Sequence, residues 1–185
     1  KKLTSSFSIK QKPNSADLLV SINAKKQILF DTNTKSFMHN NSFDSKISFF
    51  KIFEIGEQSV FLTQDLSDQS ANNIYLSKKQ IYPYLTEDSL TLISRAFQIY
   101  DWIFKQRFCS RHGIELSEIK DDLSKACSEC KNDLFPKMSP CILVAVKHKG
   151  RILLVKHNNE IRTLSTVIAG FVELGETLEE CVKRE

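Results

Sequence analysis

The sequence lacks several features that would assign it to a protein class at once. No apolar run approaches the ~20 residues that a membrane-spanning helix needs, and no secretory signal, repeat or low-complexity segment is evident. The net charge of +4 is too small to indicate a nucleic-acid-binding protein by itself. The composition, 41% hydrophobic and 26% charged over 185 residues, is that of an ordinary globular chain with one or two domains.

The number of cysteines is odd. There are five cysteines, and two of them, Cys127 and Cys130, form a Cys-x-x-Cys pair. An odd count argues against a disulfide framework, whereas the pair fits a metal site in a reducing compartment. The sequence begins with Lys1 rather than Met, so we expect an excerpt of a longer protein. Cysteine usage, more than the missing signal, therefore predicts a cytoplasmic location.

The first third of the chain has the pattern of a small β domain. Residues 1–16 are polar and predict a frayed start, and residues 33–46 and 64–73 are polar loops. Between them lie short apolar runs separated by turn residues, which predict two β-hairpins. The runs are 18–22 with 28–30, and 47–53 with 60–63.

An amphipathic helix is predicted over about residues 88–106. Apolar residues recur there at steps of three and four, the period of a helix with one buried face. Thr86 or Asp88 can cap its start, because a short side-chain oxygen accepts an unpaired N–H group. We expect Trp102 and Phe104, near its end, to pack against the preceding sheet.

Four metal-binding side chains follow the helix as two spaced pairs. Cys109 and His112 form the first pair, and Cys127 and Cys130 form the second after 14 intervening residues. Two such pairs, each in a tight turn, match a tetrahedral zinc knuckle with a short hairpin between them. Four protein ligands leave no open position, so the predicted site is structural. The alternative is that His112 is a surface histidine and zinc is lost or held by three cysteines.

The last quarter of the chain predicts strands followed by a helix. Residues 141–146 and 152–155 are apolar and are predicted to form an antiparallel pair with Gly150 in the turn, and 166–172 is extended. Thr177 and Glu180 form a capping box, so a helix is expected to begin near Leu178. Its expected buried face is Leu178, Cys181 and Val182, and Cys141 is expected to be a buried small hydrophobe.

The end of the chain resembles the start of a Nudix box, the loop-helix signature of Nudix hydrolases. Gly170 is followed after five residues by Glu176, and after seven more by Arg184 and Glu185. Together with the preceding knuckle, the order of motifs resembles the NADH pyrophosphatase subfamily, bacterial type. There are two departures. His112 stands where the family usually has cysteine, and Leu134 lacks the aromatic ring that Phe135 keeps before Pro136.

The resemblance implies an α+β fold in three parts. A β-rich N-terminal domain that ends in a helix is expected at 1–106, a zinc ribbon at 107–134, and the first part of a Nudix α/β/α sandwich at 135–185. In the family the box continues to two further adjacent glutamates. The Nudix domain is therefore expected to be truncated within its box, and this chain alone is expected to be inactive.

The resemblance also implies roles for particular residues. Hydrolysis of a pyrophosphate needs divalent cations to neutralise the phosphates and to lower the pKa of a water, and clustered carboxylates suit Mg²⁺ or Mn²⁺. Glu185 is expected to bind this metal or to act as the base, Arg184 to orient box glutamates, and Glu176 to lie near the metals or brace the loop. Glu173, Glu179 and Glu180 also fit a solvated acidic helix start.

Substrate contacts are implied for two further residues. Phe135 is expected to offer a stacking face to a base, and the backbone at Ala169 is expected to approach the ligand. Lys79 fits either a phosphate contact or a solvated charge.

The implied activity is metal-dependent hydrolysis of NADH or NAD to AMP and nicotinamide mononucleotide, with the NAD cap of RNA as a further candidate substrate. The implied cofactors are structural zinc and catalytic magnesium or manganese, the partners are NAD(H) and NAD-capped RNA without a membrane, and the expected assembly is a homodimer. Two alternatives remain: a Nudix hydrolase for another nucleoside diphosphate such as ADP-ribose, and a non-enzymatic zinc-ribbon module that binds nucleic acid or protein.

Overall fold

A computed structural model describes residues 3–39, 47–66, 71–156 and 165–185. The chain divides into two compact units, Lys1–Pro136 and Lys137–Glu185. Strands predominate over helices in both units, so the described residues form an α+β protein rich in strands, as predicted. Among the described residues, the helices are all too short or too polar to cross a membrane.

The first unit is built on a six-stranded sheet with the strand order β1-β4-β5-β2-β3-β6. Strands β2 and β5 pair in parallel, and all other neighbours pair antiparallel. Both predicted hairpins are confirmed, β2 with β3 and β4 with β5. The strands are β1 (Leu3–Ser8), β2 (Leu18–Ile22), β3 (Ile28–Asp31), β4 (Phe50–Ile55), β5 (Gln58–Gln64) and β6 (Asn73–Leu76).

Of three predictions for polar segments, two need correction and the third holds over its described residues. The predicted frayed start is wrong, because Leu3–Ser8 is a strand paired with β4. The predicted loop at 64–73 runs into the unpredicted strand β6 at its end, and residues 67–70 lie outside the described part. The loop prediction for 33–46 holds over 33–39 and otherwise falls outside the described residues. Both strands obtain their hydrogen bonds from partners distant in sequence, which local composition does not reveal.

Two helices follow the sheet in this unit. Helix α1 (Lys78–Ile81) leads into a 3-10 turn (Tyr82–Tyr84), and α2 (Glu87–Tyr100) continues into a π-helical turn (Asp101–Lys105). The helix predicted at 88–106 is therefore confirmed, and Thr86 caps it by accepting a hydrogen bond from the Ser89 N–H. Its buried face packs on the sheet to form the core of the unit. That face comprises Leu92, Ile93, Ala96, Phe97, Ile99 and Tyr100.

The two aromatic residues at the end of this helix behave differently. Phe104 packs on the sheet as predicted, with its ring 5.9 Å from that of Phe50 in an edge-on arrangement. For Trp102, packing on the sheet stays a prediction; its indole Nε1 donates a hydrogen bond to the Leu123 carbonyl at 2.6 Å, and Lys125 Nζ lies 5.0 Å from its ring centre. An indole N–H needs a partner when it is buried. The partner for Trp102 comes from the ribbon that follows.

The second unit consists of short antiparallel pairs and one helix. Strand β9 pairs with β14, β10 with β11, and β12 with β13. The bounds are β9 (Cys141–Val144), β10 (Lys147–His148), β11 (Arg151–Ile152), β12 (Val155–Lys156), β13 (Ser165–Thr166), β14 (Ile168–Phe171) and α3 (Leu178–Arg184).

The predicted hairpin around Gly150 is confirmed only at its turn end. Strands β10 and β11 pair there, and the Leu153 N–H bonds to the Val146 carbonyl. Lys149 and Gly150 have φ of 47° and 74°, the left-handed pair that tight two-residue hairpins require. Strand β9, however, pairs with β14, so the remainder of the predicted pairing is wrong.

Helix α3 begins at Leu178 behind its capping box, as predicted. Of its expected buried face, only Cys181 is buried, whereas Leu178 and Val182 are 52% and 41% exposed. Cys141, expected to be buried, is exposed. Helix α3 packs against β9 and β14, and a helix that rests on one two-stranded sheet covers only the side chain directly between them.

Candidate functional site

The four predicted metal ligands come together at one point. The ligand atoms of Cys109, His112, Cys127 and Cys130 all lie within 4.8 Å of one another. His112 faces the three sulfur atoms through Nδ1, at 3.8 Å from Cys109 Sγ, 3.5 Å from Cys127 Sγ and 3.3 Å from Cys130 Sγ. Cys109 and Cys127 are buried, and His112 is exposed. The imidazole therefore closes the solvent side of the cluster.

These separations match those of a tetrahedral zinc site. With Zn–S bonds of about 2.3 Å, tetrahedral geometry places two sulfur atoms about 3.8 Å apart. The Cys109 and Cys130 sulfur atoms are 3.7 Å apart. Three thiolates and one imidazole are soft and borderline donors of the kind that zinc prefers. The donor set therefore fits a metal such as zinc.

Local turns place the ligands of each pair. The Gly113 N–H bonds to the Cys109 carbonyl at 2.8 Å, with Gly113 in the left-handed region at φ 69°. In the second pair, the Cys130 N–H donates to Cys127 Sγ at 3.4 Å and the Lys131 N–H to the Cys127 carbonyl. Strands β7 (Lys125–Ala126) and β8 (Asp133–Leu134) pair antiparallel on either side of this turn. We refer to residues 107–134 as the ribbon.

The sulfur atoms do not share one protonation preference. Burial works against a thiolate at Cys127, but hydrogen bonds from the Cys130 N–H and His112 lower the pKa of Cys127 to about 6. Burial and the neighbouring sulfur atoms raise the pKa of Cys130 to about 11. One of these thiols therefore ionises easily. Without a bound metal, the negative charge of that thiolate opposes ionisation of the sulfur atoms beside it.

The second cluster lies in the other unit and is centred on Arg184. Its Nε and Nη2 donate to the two carboxylate oxygens of Glu176, at 2.8 and 2.9 Å. Its Nη1 donates to Glu185 Oε1 at 2.8 Å, and Nη2 also reaches the Phe171 carbonyl at 2.9 Å. A two-point bond between guanidinium and carboxylate fixes direction as well as distance. Arg184 therefore joins the loop carboxylate to the one that follows the helix.

The loop that carries Glu176 is closed on itself. The Glu173 N–H donates to Glu176 Oε2 at 2.9 Å, and the Glu176 N–H donates to the Glu173 carbonyl at 3.1 Å. Gly175 sits between them at φ 81°, where a side chain would be strained. The Glu176 carboxylate is thus held from the loop side and from the helix side.

Glu176 is kept ionised by these contacts. The hydrogen bond from Arg184, and then that from the Glu173 N–H, lower the pKa of Glu176 to about 2. The same bond raises the pKa of Arg184. Glu176 thus remains anionic throughout the neutral range, which fits bracing and metal attraction better than proton transfer.

The Glu185 side chain lies directly over Gly170. A Cβ atom added at Gly170 would overlap the Glu185 carboxyl group. A glycine is therefore needed here for packing, because a side chain would occupy the space of the carboxylate. Residue spacing did not predict this contact.

The other acidic residues near the start of the helix differ in their contacts. The Glu180 carboxylate accepts the Thr177 N–H at 2.8 Å, which completes the capping box. Glu179 is exposed. Both observations agree with the interpretation of Glu179 and Glu180 as an acidic helix start. Glu173 is also exposed, and its carboxylate lies 3.9 Å from Arg184 Nη1.

The predicted substrate residues lie in different units. Phe135 belongs to the first unit and is 53% exposed, and Ala169 lies in β14 of the second unit with its side chain exposed. Lys79 is exposed in α1. Their roles stay predictions.

Sequence reasoning missed two neighbours of Arg184. Cys181, which is buried, has its Sγ 3.4 Å from Arg184 Nη2. The Phe171 carbonyl accepts from the same nitrogen, and a main-chain group leaves no residue-type signal. The spacing of three between Cys181 and Arg184 does place them on one helix face, which is the signal that was available.

Two features of the described residues correspond to the resemblance to the NADH pyrophosphatase subfamily of Nudix hydrolases. They are the Cys/His cluster and, later in the chain, the Arg-Glu pair that Glu176 braces. No family model matches the chain. Comparison with curated proteins confirms the resemblance over about half of the chain. The chain is 45% identical over 94 residues to the protein named NAD-capped RNA hydrolase NudC of Photobacterium profundum.

Proteins of the same name in two other organisms are similar. Identity over 94 residues is 42% for Pectobacterium carotovorum subsp. carotovorum and 37% for Escherichia coli O1:K1 / APEC. The matched stretch is 51% of this chain and 35% to 37% of each of the three relatives. The chain thus matches only about a third of the length of the curated relatives.

Proposed function

We propose that this chain is part of a hydrolase that cleaves the pyrophosphate bond of NADH, NAD or the NAD cap of RNA. Two findings support the proposal: the similarity to relatives named NAD-capped RNA hydrolase, and the Arg184 cluster. The observation that carries it is the two-point bond from Arg184 to Glu176, with Nη1 of the same guanidinium on Glu185. Two carboxylates held in fixed directions offer the oxygen ligands that a hard cation prefers.

The catalytic cofactor in this proposal is Mg²⁺ or Mn²⁺. Carboxylate oxygens are the donors that these ions prefer, so Glu185 fits as a ligand and Glu176 as a nearby anion. When bound, such an ion supplies charge neutralisation of the pyrophosphate and a lowered pKa for a bound water. Glu185 is proposed either as a ligand of the ion or as the base that accepts the proton.

The residues of the chain have distinct tasks in the proposed reaction. Arg184 fixes the directions of Glu176 and Glu185 and prevents the two carboxylates from turning apart. Gly170 leaves room for the Glu185 carboxyl group. The exposed ring of Phe135 is proposed to offer a stacking face to a base, and the main chain at Ala169 is proposed, from the family resemblance, to approach the ligand.

Zinc is proposed as a structural ion only. Cys109, His112, Cys127 and Cys130 would hold it with all four positions taken by protein. We also propose the domain limits 1–106, 107–134 and 135–185, a cytoplasmic location and a homodimer, which rest on the resemblance to the family. Gel filtration with light scattering tests the dimer.

The decisive assay compares products from matched substrates. NADH is expected to give AMP and reduced nicotinamide mononucleotide, and NAD-capped RNA is expected to give nicotinamide mononucleotide and RNA with a 5′-phosphate, in each case with Mg²⁺ or Mn²⁺. It is run on the 185-residue chain and on a form that spans the full length of the relatives. We expect activity from the longer form and none from the 185-residue chain, because the family box needs two further glutamates.

A pair of variants in the longer form tests whether the proposed site residue is required, or whether loss of any carboxylate on this helix has the same effect. Glu185→Gln is expected to lower kcat about 100-fold or more, since it removes a metal ligand or base. Glu179→Gln is the matched control on the same helix and is expected to leave kcat within about threefold, because its carboxylate is exposed. Equal effects of the two variants would exclude the proposed role of Glu185.

The alternatives predict different results in the same experiments. Faster turnover of ADP-ribose than of NADH would indicate a Nudix hydrolase for another nucleoside diphosphate. Binding of RNA or protein by the longer form without any hydrolysis would indicate a zinc-ribbon binding module.

A further inference from the structure

The first unit contains a cavity that none of the proposed chemistry uses. Its volume is about 690 Å³, within the range typical of small-molecule sites. It lies between the sheet, the end of α2 and the ribbon. Most of its wall is apolar, formed by Ile9, Phe49, Phe50, Ile103, Leu116 and Ile119.

A buried cation forms part of the wall of this cavity. Lys125 is only 4% exposed, and its Nζ donates to the carbonyls of Trp102, Ile103 and Gln106 at 2.7, 3.1 and 3.0 Å. An ammonium group has three N–H donors, so all of them are used on neutral acceptors. The hydrogen bonds of Lys125 are satisfied, but no carboxylate among the described residues bonds to it.

The charged groups of the wall as a whole include more positive than negative side chains. Arg107 also lines the cavity, and its ion pair is with Glu115. Lys12 is exposed at the rim, and Glu118 is the other acidic residue of the lining. Three cations therefore face two acids, one of which is already occupied by Arg107. Positive charge near a low-dielectric wall attracts an anion more strongly than it would in water.

We propose that this cavity binds a small organic anion with an apolar body, such as a medium-chain or aromatic carboxylate. The apolar wall would remove the body of the ligand from water, and the acidic group would lie on the side of Lys12, Arg107 and Lys125. The cavity shares no residue with the Arg184 cluster. Failure of this proposal would therefore leave the proposed hydrolase function unaffected, and the converse also holds.

The first test compares two probes of equal length and different charge. Octanoate and 1-octanol have the same chain, and only octanoate is an anion. Isothermal titration calorimetry on the intact chain is expected to show one octanoate site and binding of octanol at least about tenfold weaker. Amide shifts in an NMR titration are expected at Ile103, Leu116 and Ile119.

The second test uses variants of the cavity with a matched control. Lys12→Gln is expected to weaken octanoate binding about two- to fivefold, the range of an exposed charge pair. Lys35→Gln removes an exposed lysine outside the cavity and is expected to leave affinity unchanged. Leu116→Trp fills the cavity and is expected to abolish binding while circular dichroism shows a folded protein.

Three results would overturn the proposal. They are equal affinity for octanol and octanoate, octanoate binding retained by folded Leu116→Trp, and equal affinities in Lys12→Gln and Lys35→Gln. Amide shifts confined to Lys137–Glu185 would count against it in the same way, since they would place the octanoate on the other unit.

Discussion

The Arg184 side chain holds several groups in place, because its donor atoms bond to different acceptors. Its guanidinium bonds to Glu176, Glu185 and the Phe171 carbonyl, and its Nη2 also lies beside Cys181. Lysine has no planar fork and would keep only part of this set. The spacing of the box identified Glu176, Arg184 and Glu185, because helix and loop geometry translate spacing into position. The main-chain acceptor and the place of Gly170 needed the structure.

The first prediction at this scale concerns the titration of Glu176. Its pKa is lowered from the ordinary 4.5 to about 2. The stability that its ion pair with Arg184 contributes is therefore present above pH 4.5 and is lost as the pH falls through about 2. Carbon-13 NMR of the Glu176 carboxyl group is expected to show a midpoint near pH 2, and Arg184→Gln should return it toward 4.5. A midpoint near 4.5 in the unaltered chain would disprove the ion pair.

The second prediction concerns Gly170 and depends on the proposed function. Gly170→Ala places a methyl group where the Glu185 carboxyl lies, so that side chain must move and its bond to Arg184 is expected to break. In the longer form, kcat for NADH is expected to fall about 10- to 100-fold, as for other residues that orient a ligand. If Glu185 is the group affected, adding Gly170→Ala to Glu185→Gln should cost little more. Additive losses would assign Gly170 another role.

Among the elements, α2 was the easiest to predict and the short strands were the hardest. A 14-residue amphipathic helix with a capping threonine carries its signals locally. The pairing of β9 with β14 depends on residues far apart in sequence, and an apolar run pairs equally well with more than one partner. This explains why the helix limits held and the hairpin at 141–155 held only at its turn.

The cap of α2 gives a prediction about stability. Thr86→Ala removes the acceptor for the Ser89 N–H and is expected to lower the free energy of unfolding by about 1 kcal/mol. Thr91→Ala is the matched control, since Thr91 is exposed within the same helix, and alanine there is expected to be neutral or slightly stabilising. Urea unfolding followed by circular dichroism measures both. Equal losses would show that the cap contributes nothing specific.

The ribbon gives a prediction about its ligands. Removing Nδ1 with His112→Ala is expected to weaken zinc binding strongly, whereas His112→Cys supplies a thiolate in its place and is expected to retain one zinc per chain. Metal content by atomic absorption, with competition against a chelator, measures both variants. Unchanged zinc affinity in His112→Ala would mean that three cysteines hold the ion and that the histidine is only a neighbour.

At the scale of the whole molecule, the class of fold was predictable, and the sheet topology was not. The α+β class follows from apolar runs, one amphipathic helix and a ligand pattern, all of which are local. Strands β1 and β6 form the two edges of the six-stranded sheet. Edge strands are paired on one side only and tolerate polar residues, so the polar composition of β1 concealed it.

Removal of the proposed zinc ion gives the prediction for this scale. Metal binding and folding are coupled in ligand-closed sites, so a chelator is expected to speed hydrogen exchange in the ribbon, with β7 and β8 most affected. Amides shared between β2 and β5 serve as the internal control, because they lie in the buried sheet. Mass spectrometry with peptide resolution measures both regions. Equal acceleration in both would mean that the sheet and the ribbon unfold together.

The packing of Trp102 at the end of α2 affects the fluorescence of the protein. It is the only tryptophan of the chain, it is 5% exposed, and its indole bonds to Leu123 while Lys125 lies over its ring. Indole emission depends on the polarity and charge around the ring, and residues of the ribbon contribute to both. The chain thus carries its one indole at the boundary between sheet domain and ribbon, and selective excitation of the indole reports on that boundary without any label.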